Sequence, residues 1–89
     1  MITLQSLVLL ASVSSPGQAV LFDFYSDRCA PCRSMDPIVR RLVADGYAVR
    51  KVNVDREQQL SRKFRIRAVP TFIMTANGEE VQRLVGPTT

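Results

Sequence analysis

Residues 19–25 form an almost unbroken apolar and aromatic run, interrupted only by Asp23. Such a run suits a strand buried on both faces of a sheet. Side chains alternate along a strand, so Asp23 shares a face with Leu21 and Tyr25, while Val20, Phe22 and Phe24 take the other. A carboxylate in the middle of a buried strand is costly to ionise and calls for a reason.

A polar turn over residues 26–30 leads into a helix predicted over 31–45. Its apolar positions Met35, Ile38, Val39, Leu42 and Val43 follow helical spacing. Pro31 suits the first turn, where a missing N–H costs nothing. Pro37 lies inside the helix and should kink it, and Gly46 should end it. Residues 48–54 alternate around Val49, Val52 and Val54 and predict a second strand. Asp55 and Gln58 resemble a capping box opening a helix that carries Leu60 and Phe64. Residues 71–75, rich in β-branched and aromatic side chains, predict a third strand. Asn77-Gly78 signals a two-residue hairpin turn into a fourth, over residues 81–85.

Residues 1–22 carry no charge. The apolar stretch 7–11 is far shorter than the roughly 20 residues that span a bilayer. A secretory signal should open with Lys or Arg, and Gly17-Gln18-Ala19 is a poor cleavage site. The better reading is an amphipathic helix capped by Thr3, with Leu4, Leu7, Val8 and Ala11 on one face, ended by Ser14-Ser15-Pro16-Gly17. On that reading the chain is cytoplasmic; a signal over residues 1–19 would instead direct it to a periplasm or outside the cell. With this helix the αβαβα order implies an α/β fold: a parallel strand pair covered by helices, extended by an antiparallel hairpin.

Length and composition narrow the class. Eighty-nine residues, 46% hydrophobic and 22% charged, make one small globular domain. The net charge is +4, and eleven of the twelve Lys and Arg lie between Arg28 and Arg67. No basic run or interleaved aromatics accompany them, which speaks for a solvated face and against a nucleic-acid surface. The absence of His excludes Ser/His and Cys/His catalysis and histidine metal sites. Two Cys exclude a disulfide framework, and a zinc ribbon would need two further soft ligands. Unless a second chain completes a metal site, Cys29-Ala30-Pro31-Cys32 is therefore redox chemistry or a buried structural pair. Cys29 falls at a helix start, where unpaired N–H groups and the helix dipole favour a thiolate. Arg28 and Arg33 push the same way. Cys29 should thus be the more acidic and more exposed thiol, and Cys32, one turn on, the more buried one.

Taken together, Val20-Leu21-Phe22-Asp23-Phe24-Tyr25, Cys29-Ala30-Pro31-Cys32-Arg33, Pro37, Lys51-Val52-Asn53-Val54-Asp55, Val69-Pro70-Thr71, Asn77-Gly78 and Gly86 closely resemble the thioredoxin family in order and spacing. The resemblance covers residues 19–86. It implies a thioredoxin-like fold with a four-stranded mixed sheet flanked by about three helices. It casts Cys29 as the attacking thiol, Cys32 as the resolving thiol, and Asp23 as the buried carboxylate that relays a proton to or from Cys32. Lys51 matches the lysine beside that carboxylate, although a surface lysine would read the same. Pro31 and Pro70 match supporting prolines, Pro70 as a cis-proline facing the disulfide. A proline there offers no N–H, so the backbone of Val69 is where an extended substrate would dock, with Arg28, Ala30, Arg67 and Ala68 lining the contact.

The implied activity is dithiol–disulfide exchange on protein disulfides, most simply as a disulfide reductase in redox homeostasis. It needs no metal or organic cofactor, but it does need an electron donor. The alternative is a non-catalytic thioredoxin-like module that docks a partner within a larger protein or assembly; an oxidase or isomerase is a third reading.

Three departures stand out. Arg28 occupies the position of the family's Trp, and the chain has no Trp. The family's first strand has no clear match, and its last helix should follow Gly86. One domain over residues 1–89 is therefore expected, with a helix and linker over 1–18 and a core over 19–86, as an excerpt of a longer chain or a minimal variant. Apolar positions of the third and fourth strands should then be bare, inviting self-association or cover by further domains.

Overall fold

The computed structural model describes residues 19–86. The helix expected near the start, and any leader there, lie outside the described residues. Six elements follow in order: β1 (Ala19–Tyr25), α1 (Ala30–Ala44), β2 (Val49–Asn53), α2 (Gln58–Lys63), β3 (Thr71–Ala76) and β4 (Glu79–Val85). They build one four-stranded sheet in the order β2-β1-β3-β4. β1 and β2 are parallel, joined through α1, with Asp23 in register with Lys51. β3 runs antiparallel to β1, with Phe24 opposite Thr71, and β4 runs antiparallel to β3. The mixed sheet is thus the one expected, with two helices among the described residues.

The alternation in β1 divides the core as its sequence predicts. Phe24 packs with Val52, Phe64 and Ile73 on one face, with Phe22, Val54, Leu60 and Ile66 around them. On the other face Met35, Val39 and Phe72 form a second cluster, with Leu21 and Val49 against it. Asp23 and Tyr25 continue this second face toward the C-terminal end of β1.

The buried stripe of α1 is narrower than the five apolar positions suggested. Cys32, Met35 and Val39 are buried, whereas Ile38 and Val43 are exposed. A helix against a single sheet face hides one stripe, and these two side chains lie on its flanks. Pro37 sits inside the helix without ending it. Gly46, at φ +96°, supplies the left-handed residue that turns the chain out of α1.

The capping box expected at Asp55 does not form. Asp55 N–H donates to Asn53 Oδ1 at 3.0 Å, and Arg56 and Glu57 N–H both donate to Asn53 O. Residues 54–57 are therefore a turn organised by Asn53, and α2 starts later, with Glu57 as its N-cap and no side-chain cap. The Asn77-Gly78 hairpin forms as expected, both residues having positive φ (54° and 82°).

The bare apolar surface expected over the third and fourth strands is confined to β4. Phe72 and Ile73 of β3 are buried because neighbouring strands and both helices surround them, while Val81, Leu84 and Val85 are exposed. Leu84 and Val85 are consecutive in the strand and face opposite ways, so they form no common patch. Arg83 ties β4 down: its Nη2 donates to the carbonyl of Phe64, at the end of α2, at 2.6 Å. Its guanidinium also pairs with Glu80 at 2.7 Å.

Candidate active site

The C-terminal end of β1 collects the chemistry. From Tyr25 the chain turns through residues 26–28 into Cys29, the N-cap of α1. Cys29 has extended backbone angles (φ −100°, ψ 101°), and its sulfur accepts the Cys32 N–H at 3.1 Å. Pro31 stands in the first helical turn, where its missing N–H leaves nothing unsatisfied. Cys29 and Cys32 are joined as a disulfide with their Cα atoms 5.1 Å apart. The sulfur of Cys29 thus sits at the positive end of the α1 dipole, already holding a donor that would stabilise its thiolate. The expected difference in exposure between the two cysteines is absent in this disulfide form: Cys29 is 7% and Cys32 6% exposed.

Cys32, Met35 and Val39 form the stripe of α1 that faces the sheet. Met35 and Val39 pack near Leu21, so Cys32, one turn earlier, lies toward Asp23 and Tyr25. Asp23 is 3% exposed. Burial pushes its carboxyl above the ordinary range; the Lys51 ammonium works against this and the Asp36 carboxylate adds to it. Lys51 is on the same face as Asp23, but its Nζ bonds Asp36 Oδ1 at 3.2 Å and lies 4.7 Å from the Tyr25 ring centroid.

This raised pKa has a consequence for stability. The folded chain holds the Asp23 proton more tightly than the unfolded chain does. Stability therefore falls as pH rises from the ordinary carboxyl value of 3.8 through the raised one, and the loss is complete above it. Asp23→Asn, which cannot ionise, should gain on the wild type at about pH 7 relative to about pH 3. Urea denaturation at both pH values checks this. An equal difference at the two would mean that Asp23 has ordinary acidity.

Pro70 is buried beside this end of β1, since Thr71 pairs with Phe24. The Val69–Pro70 peptide bond is cis, as the resemblance implies. The segment is held by Thr71 Oγ1 donating to Ala68 O at 2.6 Å and by Gly86 N–H donating to Pro70 O at 2.8 Å. Arg67 and Ala68 are exposed and Val69 is half-buried. A groove lined by Val54, Arg62, Ile66, Arg67 and Val69 runs beside them. Arg28 and Ala30 are exposed on the other side, next to the disulfide. Arg33 turns back toward the preceding loop, its Nη1 donating to Asp27 O at 3.2 Å.

One group escaped the sequence reading. Buried Asn53, at the end of β2, donates through Nδ2 to Asp27 Oδ1 at 3.1 Å while its Oδ1 takes the Asp55 N–H. Arg56 Nη2 adds a contact to Asp27 Oδ2 at 3.4 Å. The turn before Cys29 is thereby pinned to β2. The available signal was an Asn at the end of an apolar strand, a residue that needs partners for both ends of its amide. Asn53→Ala removes both bonds and should cost about 1–3 kcal/mol in chemical denaturation. A loss within about 0.5 kcal/mol, the range of ordinary surface changes, would show that the network does not hold the turn.

Among the described residues no group of three or more His, Cys, Asp or Glu could hold a metal ion, and no helix is long and apolar enough to cross a membrane.

Comparison with known proteins identifies the family. A thioredoxin isoform H2-1 of Oryza sativa subsp. japonica is 38% identical over 69 residues, covering 75% of this chain and 50% of its own length. A bifunctional thioredoxin reductase/thioredoxin of Mycobacterium leprae is 32% identical over 85% of this chain and 17% of its own. The chain thus spans half, or less, of these relatives. The solved structure of a mutant thioredoxin from Halobacterium salinarum superposes with a TM-score of 0.78 at 40% identity, over 90% of this chain and 72% of that one. The family model for thioredoxin matches residues 3–89, nearly the whole sequence, and the chain therefore belongs to the thioredoxin family.

Proposed function

We propose that the protein is a thiol–disulfide oxidoreductase that reduces disulfides of other proteins. The observation that carries this reading is the Cys29–Cys32 disulfide at the start of α1, with the Cys32 N–H already on the Cys29 sulfur. In the dithiol form, Cys29 thiolate attacks one sulfur of a substrate disulfide. A mixed disulfide forms and the first substrate thiolate leaves. Asp23 then takes the proton of the Cys32 thiol, and Cys32 attacks the Cys29 sulfur. The Cys29–Cys32 bond closes, the second substrate thiolate is released, and both substrate sulfurs end as thiols. Two electrons have passed to the substrate, and a donor must return them. The Mycobacterium leprae relative, whose name joins thioredoxin reductase to thioredoxin, supports a reductase in that role.

Placement supports the other assignments. Asp23 is buried on the face that Cys32 overlies, where burial raises its pKa and makes its carboxylate a stronger base than an exposed one. The Val69 backbone, preceding a proline with no N–H, receives an extended substrate segment, with Arg67 and Ala68 on one side and Arg28 and Ala30 on the other. Pro31 and Pro70 shape the two walls. Lys51 acts on Asp23 through its charge.

The test is turnover of insulin disulfides with dithiothreitol as reductant. Precipitation of the reduced insulin chains should be accelerated well above the rate with dithiothreitol alone. A rate equal to dithiothreitol alone would overturn the reading and leave a protein-docking module.

A further inference from the structure

Resting on the relay reading of Asp23, we propose that Asp36 is a positioning residue for that relay: its carboxylate holds the Lys51 ammonium over Tyr25 and so governs how much positive charge reaches Asp23. Asp23 and Lys51 are register partners on parallel strands, so their side chains leave the same face of the sheet. A lysine has a long, flexible stem and could set its charge directly on the neighbouring carboxylate. Here the charge is directed elsewhere. Nζ bonds Asp36 Oδ1 at 3.2 Å and rests 4.7 Å from the Tyr25 ring centroid, where the ring face also attracts it. Asp36 follows the buried Met35 on α1 and is itself only half-exposed, so its carboxylate hangs at the seam between helix and sheet.

Asp36 therefore acts twice with one sign. Its own negative charge opposes ionisation of Asp23, and it competes for the cation that would favour it. The charged or titratable groups facing Asp23 are few: Lys51 from β2, Tyr25 from β1, and Asp36 and Cys32 from α1. β3 presents Phe72, which is apolar. Of these, Asp36 and the Tyr25 ring hold Lys51, and only Asp36 does so with a full opposite charge. It leaves Asp23 a stronger base, at the expense of being protonated up to a higher pH.

The experiment is the reaction of the reduced 89-residue chain with Ellman's reagent by stopped flow across an acid-to-neutral pH series. The first nitrothiobenzoate released reports attack by Cys29, and the second reports resolution by Cys32. With Asp36→Asn, the acid limb of the second phase should move to lower pH. The rate on that limb should rise roughly two- to fivefold, the scale of an exposed ion pair, while the neutral plateau does not rise and the first phase stays unchanged. Lys51→Met should move the limb the opposite way, and in that background Asp36→Asn should give a smaller shift. A second-phase profile that superposes on wild type, while Asp23→Asn still abolishes the limb, would overturn the role of Asp36 and leave the relay standing. If instead Asp23→Asn retains the limb, the relay itself falls, and the inference with it. A full-sized Asp36→Asn shift in the Lys51→Met background would show that Asp36 positions nothing and acts only by its own charge.

Discussion

Cys29→Ser should bring insulin reduction down to the rate of the reductant alone, a loss of at least about a thousandfold. A hydroxyl cannot open a disulfide at neutral pH, and the only other sulfur of a cysteine, that of Cys32, lies one turn inside α1. Cys32→Ser should be just as inactive in turnover but for another reason. Cys29 can still attack, and the covalent complex then persists because nothing resolves it. Non-reducing gels of the two variants incubated with a disulfide-bonded protein should show the adduct with Cys32→Ser and none with Cys29→Ser. Alkylation of the reduced protein at mildly acidic pH should likewise label Cys29 first, since only its sulfur caps the helix. Adducts on Cys29→Ser would reverse the two roles.

Phe24→Ala should be the most damaging substitution in the fold, at about 3–5 kcal/mol. Phe24 is fully buried, between β1's neighbours Val52 and Ile73 and the ring of Phe64. Its ring lies 5.7 Å from Phe64 and 6.1 Å from Phe22, and those two are 5.4 Å apart, so it is one of three mutually packed rings that join the sheet to the end of α2. Removing it leaves a void that few surrounding side chains can fill. The loss rivals the whole stability of a small domain, about 5–15 kcal/mol, so the variant should melt at or near ambient temperature. Circular dichroism on heating checks this. A melting point within a few degrees of wild type would mean that the face collapses around the cavity.

How far the sequence could be read depends on the range of the interaction. The bounds of Ala19–Tyr25 were legible to the residue because an apolar run needs only its own composition, but its burial was not: only Asp23 and Phe24 are buried. Asp23 stood out because a carboxylate in such a run has no cheap structural reason. The Cys29–Cys32 pair was legible because the geometry of a helix start is local, and Asn77-Gly78 because its turn needs only two residues with positive φ. Three features depended on contacts distant in sequence and were not legible. Asn53 takes over the turn where Asp55 would have capped a helix, since it can also reach Asp27, 26 positions away. Ile38 and Val43 lie on the flanks of α1 because one sheet face covers one stripe. Lys51 could be placed beside Asp23 from the strands, but its attachment to Asp36 required the helix to be laid across them.

The strand order has a further implication for how the protein ages. Among the described residues the outermost strands are β2 and β4. Both carry charge where a neighbouring molecule would add a strand: Arg50 and Lys51 on one, Glu79, Glu80 and Arg83 on the other. β4 also has a register shift opposite Met74 and Thr75 that breaks the regular ladder. The segment best suited to cross-β stacking is Thr71–Ala76, six uncharged residues of high strand propensity, and it is enclosed between β1 and β4. Native molecules therefore discourage growth of the sheet from one copy to the next. Fibril formation should require β4 to peel away first, so its rate should follow how often the hairpin opens. The bond from Arg83 to the Phe64 carbonyl, which ties β4 to the end of α2, then serves as a latch against amyloid as much as a contribution to the fold.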